Sequence, residues 1–170
     1  MPVQPETKFE VSLRRHGTSW TRTTSDAFAA AVTEAIETPA VATDLSDWEL
    51  DFEDAPVTVD PTPRELLEAT TGVTGASLGV SSYGSLLLPS DAKGTEPVSL
   101  YPERHVAVVR ESDVVADVSA AFDRLGDEFA EEEPTSTVFA TGPSATGDMG
   151  ALVYGVHGPK SVHVIILIDR

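Results

Sequence analysis

Three apolar runs constrain the fold of this chain more than any other feature of its sequence. They are VAVV at 106–109, TVFA at 137–140 and VHVIILI at 162–168. Each run is almost continuously apolar, which is typical of strands buried on both faces, because a strand with one wet face alternates apolar and polar residues. The runs therefore predict an α/β fold with a mostly parallel sheet and helices on both of its faces.

Helical patterns separate and precede these runs. Residues 25–37 present one apolar face, and residues 62–70 open with a threonine, a proline and then a glutamate, which together form a capping box. A third helix is predicted at 113–125 as a right-handed crossover between the first two apolar runs. Its apolar stripe consists of Val114, Val118, Ala121, Phe122 and Leu125.

Two further segments have less regular patterns. Residues 8–17 fit a strand or a short helix, and residues 76–90 fit two strands around a turn at Tyr83 and Gly84. The length of 170 residues suits a single domain over 1–170. Residues 1–20 lack the apolar core of a signal peptide, and no stretch reaches the length of a membrane span, so a cytoplasmic protein is expected.

The balance of charges limits the partners. The chain has 28 acidic and 11 basic residues, a formal net charge of −17, and the acids are spread along the whole chain. This spread favours a solvated acidic shell over an acidic interaction face, and the charge argues against a nucleic-acid partner, which needs a basic patch. We hypothesise a salt-loving source; equal thermal stability in dilute buffer and in molar KCl would contradict it.

Two glycine-rich loops are the main candidates for a site. The loop TGPSATGDMG, residues 141–150, directly follows the second apolar run, and ligands of parallel sheets bind beyond the carboxyl ends of the strands. Its hydroxyls at Ser144 and Thr146 and its free backbone N–H groups suit an anion. The alternative is the start of a helix capped by Ser144 or Thr146. It is not a P-loop, because the lysine after the last glycine is missing.

The second loop, YGVHGPKS at 154–161, contributes a histidine. His157 is either a structural hydrogen-bonding residue or, with Asp148 of the first loop, a candidate catalytic residue that moves a proton. A hydrolase triad with Ser144 is disfavoured, because G-x-S-x-G is absent. No metal site is predicted from the histidine spacings, and His163, inside an apolar run, is expected to be a core residue with its hydrogen bonds satisfied.

The residues of these loops resemble a known family. Thr141-Gly142-Pro143-Ser144, then Thr146 and Asp148, followed by GVHGP at 155–159 and an apolar terminal strand, look like the C-terminal signature of the lactate-utilisation protein C family (LutC/YkgG), the LUD domain. TGVTGA at 71–76 and GS at 84–85 resemble its earlier motif. The likeness covers residues 66–169, whereas residues 1–60 carry no motif of the family.

The resemblance implies a fold, a site and partners. The family is similar to the Rossmann-like fold of ribose-5-phosphate isomerases and coenzyme A transferases, and is tied to oxidation of lactate to pyruvate beside two iron–sulfur proteins. The ligand-binding positions it implies are Thr74, Gly75, Gly84, Ser85, Gly142, Ser144, Thr146 and Gly158. This chain departs from the family at Ser82 and Gly150, where relatives often carry a glutamate, so it has no carboxylate at those two places.

Two hypotheses follow. In the first, the chain is a non-redox component or accessory of an iron–sulfur lactate-oxidising system and binds no cofactor itself, because it has no cysteine for a cluster. In the second, it is an enzyme or binder of the isomerase or coenzyme A transferase type. Ser144 and Thr146 would then hold an anionic metabolite while His157 or Asp148 moves a proton. Whether the chain is an enzyme stays open between them.

Overall fold

The computed structural model describes residues 6–131, 136–148 and 151–170. A central sheet of six strands, all parallel, runs in the order β1-β12-β7-β4-β2-β3. The chain therefore has the α/β fold with a mostly parallel sheet that the sequence predicts. Its strands are β1 (Ser19–Thr23), β2 (Ala40–Ala42), β3 (Val57–Val59), β4 (Thr71–Gly75), β7 (Arg104–Arg110) and β12 (Ser161–Leu167).

The two faces of this sheet are covered differently. Helix α2 (Phe28–Ala35) and the segment 45–55 pack on one face, around Val73, Val106 and Ile165. The opposite face packs against α1 (Lys8–Arg15), α4 (Thr95–Leu100) and a second sheet. Because both faces are covered, the central strands β7 and β12 consist almost entirely of buried residues, as their apolar runs predict.

The second sheet corrects one prediction. Its order is β8-β5-β6-β9, with β5 (Leu78–Val80), β6 (Ser85–Pro89), β8 (Val114–Val115) and β9 (Thr137–Thr141). The run TVFA forms β9, which pairs antiparallel with β6 and does not join the parallel sheet. Its residues are not fully buried: Val138 and Ala140 pack towards the core, while Phe139 stacks on Phe122 on the outside. A run of four apolar residues is too short to reveal that alternation.

The helix at 113–125 also differs from the prediction. Helix α5 begins at Val118 and ends at Glu131, and Val114 belongs to β8, which pairs with β5. The helix packs through Ala121 and Leu125 on the outer face of the second sheet, and Phe122 is exposed. It leads to the antiparallel β9, so it is not a crossover within the parallel sheet.

The first glycine-rich loop forms a hairpin and no helix. Strand β10 (Ala145–Asp148) pairs antiparallel with β11 (Ala151–Tyr154), so the helix start capped by Ser144 or Thr146 is not formed. The predicted turn at Gly84 joins β5 to β6, where Gly84 has a φ of +65°. The predicted capping box is present in α3 (Pro63–Glu68), where Glu65 N–H donates to the hydroxyl of Thr62.

Residues 8–17 contain α1, the helical one of their two predicted conformations. Within the described ranges, no helix combines the length and the apolar character that a bilayer crossing requires.

Candidate functional site

A cavity of about 420 Å³ opens where the two glycine-rich loops meet the amino ends of β7 and β12. His105 and Val162, near the starts of these strands, lie at its floor. The sequence predicts a site at the carboxyl edge of the parallel sheet, but this cavity lies at the opposite, amino edge. The reason is that β9, the strand that leads into the first loop, belongs to the second sheet.

Hydrogen bonds through one serine hold the two loops together. The Ser144 N–H donates to the carbonyl of Pro159 over 2.9 Å, and the Gly155 N–H donates to the Ser144 carbonyl over 2.9 Å. The Ser144 hydroxyl also accepts the N–H of His157 at 3.2 Å. An added Cβ at Gly158 would lie 3.3 Å from the Ser144 side chain. The loops thus form one wall, with Ser144 at their junction.

The lining of the cavity combines hydroxyls with an apolar floor. Ser99, Thr141, Ser144 and Thr146 contribute hydroxyls, and His157 contributes an exposed imidazole. Buried leucine and valine side chains close the bottom. No Asp, Glu, Lys or Arg is among the lining residues in the part of the chain that the structure describes. A small polar group here would meet hydrogen-bond donors and no carboxylate of the described lining residues.

A buried histidine that the sequence did not single out reaches this cavity. His105 is 2% exposed, and its Nε2 lies 2.9 Å from the hydroxyl of Thr74, which is fully buried. Burial lowers the pKa of His105 from 6.5 to about 4, because the charged ring would lose its hydration. His105 is therefore neutral at pH 7. Its one sequence signal is a polar residue at the start of an apolar run.

His163 lies on the neighbouring strand β12, where its register partner is Val106, and is buried, as the sequence predicts. Its Nδ1 lies 2.8 Å from the Ser19 hydroxyl, while its Nε2 has no partner among the described residues. Its hydrogen bonds are thus only half satisfied. Burial first, and then the charge of Arg104, lower the pKa of His163 to about 4.

Comparison with known proteins identifies the family. A family model described as the LUD domain matches residues 26–167. This chain belongs to the LUD domain family. The family resemblance of the two loops is thereby confirmed.

Relatives of this LUD domain carry names that describe a metabolic role. A protein of Deinococcus radiodurans named lactate utilization protein C is 33% identical over 105 residues, or 61% of this chain and 49% of the relative. A protein of the same name from Bacillus subtilis is 27% identical over 135 residues, 78% of this chain and 54% of the relative. YkgG of Escherichia coli is 33% identical over 103 residues, 58% and 45% of the two chains. The chain spans about half the length of these relatives.

A solved structure shares the fold of this LUD domain. The crystal structure of a DUF162 family protein from Deinococcus radiodurans matches with a TM-score of 0.71 and 24% identity. The match covers 95% of this chain and 94% of that chain, so the likeness extends over almost the whole fold.

The structure brings together five of the predicted site residues of the LUD domain. Gly142, Ser144, Thr146, His157 and Gly158 all line the cavity. The side chain of Asp148, the other candidate catalytic residue, lies outside the described residues.

Two more predicted residues lie in the layer behind the cavity lining. The hydroxyl of Ser85 lies 2.7 Å from that of Thr141, which lines the cavity, and Thr74 contacts His105.

The remaining two predicted residues lie elsewhere. Gly84 packs its turn against α1, where an added Cβ would lie 2.8 Å from the Leu13 nitrogen. Gly75 lies at the carboxyl end of β4, beside Trp48 and away from the cavity.

The carboxyl edge of the LUD domain carries ion pairs and two clefts, the larger of about 440 Å³ and lined in part by Asp44, Asp60 and Lys93. A smaller cleft there, of about 230 Å³, contains Gly75 and Lys93. The Lys93 ammonium lies 2.6 Å from the Asp47 carboxylate and 3.2 Å from the Asp44 carbonyl. The hydrogen bond to Asp47 raises the pKa of Lys93. Arg110 stacks over Trp48 at 4.4 Å. In the described ranges, no three His, Asp or Glu side chains converge as metal ligands at either edge.

Proposed function

We propose that this LUD domain acts in lactate utilisation by binding a small anionic carboxylic acid of the lactate and pyruvate class in the cavity between its two loops. The observation that carries the proposal is the convergence of Ser144, Thr146 and His157 on one cavity without a charged lining residue in the described chain. The names of the relatives supply the metabolic context.

The chemistry of the lining suits such an acid. Hydroxyls and backbone N–H groups donate to a carboxylate with charge-assisted hydrogen bonds, which are about twice as strong as neutral ones. The apolar floor, formed by Leu86, Leu88 and Val162, suits a methyl group. His157 lies at the exposed rim, where its imidazole is able to exchange a proton with the 2-hydroxyl of the acid and with water.

We further propose that the chain is a non-redox component of a lactate-oxidising system. Conversion of lactate to pyruvate removes two electrons and two protons, and the electrons need an acceptor. Iron–sulfur clusters are held by cysteine thiolates, and this chain has no cysteine. Iron–sulfur proteins bound as partner chains would therefore accept the electrons, while this chain holds the acid and carries a proton.

The partner proposal is tested by affinity purification of the tagged protein from its host, in high salt and without oxygen. Mass spectrometry identifies the co-purifying chains, and iron is assayed in the eluate. Cysteine-rich chains together with iron are the expected result. A protein that elutes alone and free of iron contradicts the partner proposal and leaves the ligand proposal to be judged separately.

The ligand proposal is tested by isothermal titration with lactate and with pyruvate. Saturable binding is expected, and Ser144→Ala is expected to weaken it by about tenfold, because one hydrogen bond to a charged group is lost. Ser119→Ala, an exposed serine on α5 outside the cavity lining, is the matched control and should bind as the wild type does. No binding of either acid to the wild type contradicts the proposal.

A second candidate function is favoured by the size of the cavity. Its volume of about 420 Å³ lies within the range of about 300–1,000 Å³ that holds drug-sized ligands, and so exceeds the needs of a three-carbon acid. In this alternative, the chain is an enzyme or binder of the isomerase or coenzyme A transferase type that holds a larger anionic metabolite. A thermal-shift screen of sugar phosphates and coenzyme A esters tests it, and stabilisation by lactate and pyruvate alone would contradict it.

A further inference from the structure

A second cavity of about 820 Å³ adjoins the first and is lined by basic residues. Arg14, Arg15 and His16 at the end of α1 form one side, and Lys160 forms the other. Thr141, Pro143 and Ala145 line both cavities, so the two are neighbours that share this segment as a wall. We call Arg14, Arg15 and Lys160 the cationic patch.

The cationic patch contrasts with the charge of the whole chain. Three of the 11 Lys and Arg residues gather here in a protein of net charge −17, and no Asp or Glu is among the described residues that line this cavity. A local excess of positive charge in an otherwise repelling field concentrates anions at one place. The lining of this cavity therefore differs in sign from the net charge of the chain, and an anion there would meet no carboxylate of the described lining residues.

Two acidic residues next to the patch form ion pairs with it but leave its cations exposed. Arg14 pairs with Glu6, and Lys160 pairs with Glu103. The Arg14 and Lys160 side chains stay 59% and 53% exposed, and exposed ion pairs contribute only about 0–1 kcal/mol, so an incoming anion competes with them. Arg15 is exposed and makes no ion pair among the described residues.

The glycines of the two loops bring the patch to the cavity. Gly142 has a φ of +65°, and a Cβ there would lie 2.8 Å from the His16 carbonyl oxygen. Gly155 has a φ of +79°, and a Cβ there would lie 2.3 Å from Cγ of Lys160. Only glycine accepts both this backbone conformation and this contact. Each loop thus uses one glycine to approach the patch, at Lys160 itself or at His16 next to Arg15.

We infer that the cationic patch is a subsite for a phosphate group, next to the cavity proposed for the acid. The inference goes beyond the proposed function and names the ligand class of the patch, a phosphate-bearing metabolite. Guanidinium groups bind phosphate oxygens in a bidentate fashion, and the lysine adds a point charge.

The competing explanation is local to α1. Basic residues in the last turn of a helix interact favourably with its dipole, and Arg14 and Arg15 are in that position. That explanation does not account for Lys160, which belongs to the second glycine-rich loop. It also does not account for the close approach of Gly155 to the Lys160 side chain. It predicts a fall in melting temperature without a change in anion binding.

The test is isothermal titration of the full chain with inorganic phosphate and with pyrophosphate at fixed ionic strength. Arg15→Gln and Lys160→Gln are each expected to weaken binding by about tenfold, the loss of one hydrogen bond to a charged group. The matched control is Arg64→Gln, which also removes one positive charge. Arg64 is exposed on α3 and pairs with Glu68. The affinity of this variant for phosphate should equal that of the wild type.

Three results overturn the subsite: no saturable binding of phosphate or pyrophosphate, an equal loss in Arg64→Gln, or a lowered melting temperature with unchanged affinity in Arg15→Gln and Lys160→Gln. Parallel titrations with lactate and pyruvate separate the two proposals. Binding of the acids without binding of phosphate removes the subsite and keeps the proposed function. Binding of phosphate without binding of either acid keeps the subsite and removes the proposed function.

Discussion

The two edges of the central sheet have opposite characters. At the carboxyl edge, arginine and lysine side chains are engaged with carboxylates, and Trp48 packs against Gly75. These ion pairs are Arg22–Glu111, Lys93–Asp47 and Arg170–Glu49. At the amino edge, the cavity is lined by uncharged residues and adjoins cations that remain exposed. Arg14 and Lys160 at the amino edge are also paired, with Glu6 and Glu103, but their side chains stay more than half exposed. The side chains of Arg22, Lys93 and Arg170 at the carboxyl edge are 27–35% exposed.

This difference shows how a site can depart from the general rule for parallel sheets. The rule places ligands beyond the carboxyl ends of the strands, where loops leave the sheet. Here the loop that carries Ser144 arises from β9, an antiparallel strand of the second sheet, and β9 delivers it to the amino ends of β7 and β12. The connections outside the parallel sheet decide which edge receives the site.

The largest expected effect is a loss of folding stability at low pH. It is caused by a buried histidine at the amino edge. His105 is buried and neutral, and its pKa of about 4 lies below the ordinary value of 6.5. The unfolded chain therefore binds a proton at a higher pH than the folded chain does. The stability contribution is complete above pH 6.5 and is lost as pH falls towards 4, up to about 3 kcal/mol for this residue. His163 changes in the same direction.

Urea unfolding between pH 7 and pH 4 measures this loss. His105→Gln keeps a polar group near Thr74 but does not titrate, so its unfolding free energy should fall less steeply over the same range. Equal slopes in the wild type and in the variant would show that the amino edge is not the acid-sensitive region.

The second effect concerns the glycines that shape each edge. Gly142→Ala forces a left-handed conformation on an alanine and brings its Cβ within 2.8 Å of a backbone oxygen, so we expect a loss of about 2 kcal/mol together with weaker lactate binding. Gly75→Ala, at the carboxyl edge, meets only side-chain atoms of Leu45 and Trp48 at 3.1–3.2 Å.

Urea unfolding and titration with lactate compare these variants. Gly147→Ala is the control in the first loop, because no atom of the described residues beyond its chain neighbours lies within 4 Å of its added Cβ. Gly75→Ala should disturb stability and spare binding. If Gly75→Ala weakened lactate binding more than Gly142→Ala did, the site would lie at the carboxyl edge instead.

The sequence predicts the central part of this fold well and its periphery poorly. The runs that form β7 and β12 are long and buried on both faces, so their apolar character reflects their position directly. The run that forms β9 has the same composition but lies in the outer sheet. The apolar composition of a short run therefore records neither full burial, nor the partner strand, nor the direction of pairing.

The sequence predicts the part of the candidate site that lies within the two loop motifs. The two loops meet through Ser144 and His157, and their shared motif pattern pointed to both. His105 and the two arginines of the cationic patch come from segments distant in sequence, and only the packing of α1 and of β7 brings them to the loops. No local pattern indicates such neighbours.

The smallest expected effect tests the carboxyl edge alone. Lys93→Gln removes the cation between Asp44 and Asp47, and we expect it to lower the unfolding free energy by about 0.5 kcal/mol in dilute salt. Molar KCl should abolish the difference, because salt screens exposed charges. Lactate and phosphate binding should not change. Urea unfolding at both salt concentrations, followed by titration, checks each part, and reduced ligand binding would contradict the separation of the edges.

The central claim is that the ligand site lies at the amino edge of the sheet. The most direct measurement is an amide NMR titration of the isotope-labelled chain with lactate, and then with inorganic phosphate. The structure predicts that lactate shifts the amides of 141–146 and 155–159, and that phosphate shifts those of 14–17 and Lys160. Shifts centred on Gly75 and residues 91–95 for either ligand would place the site at the carboxyl edge and contradict this account.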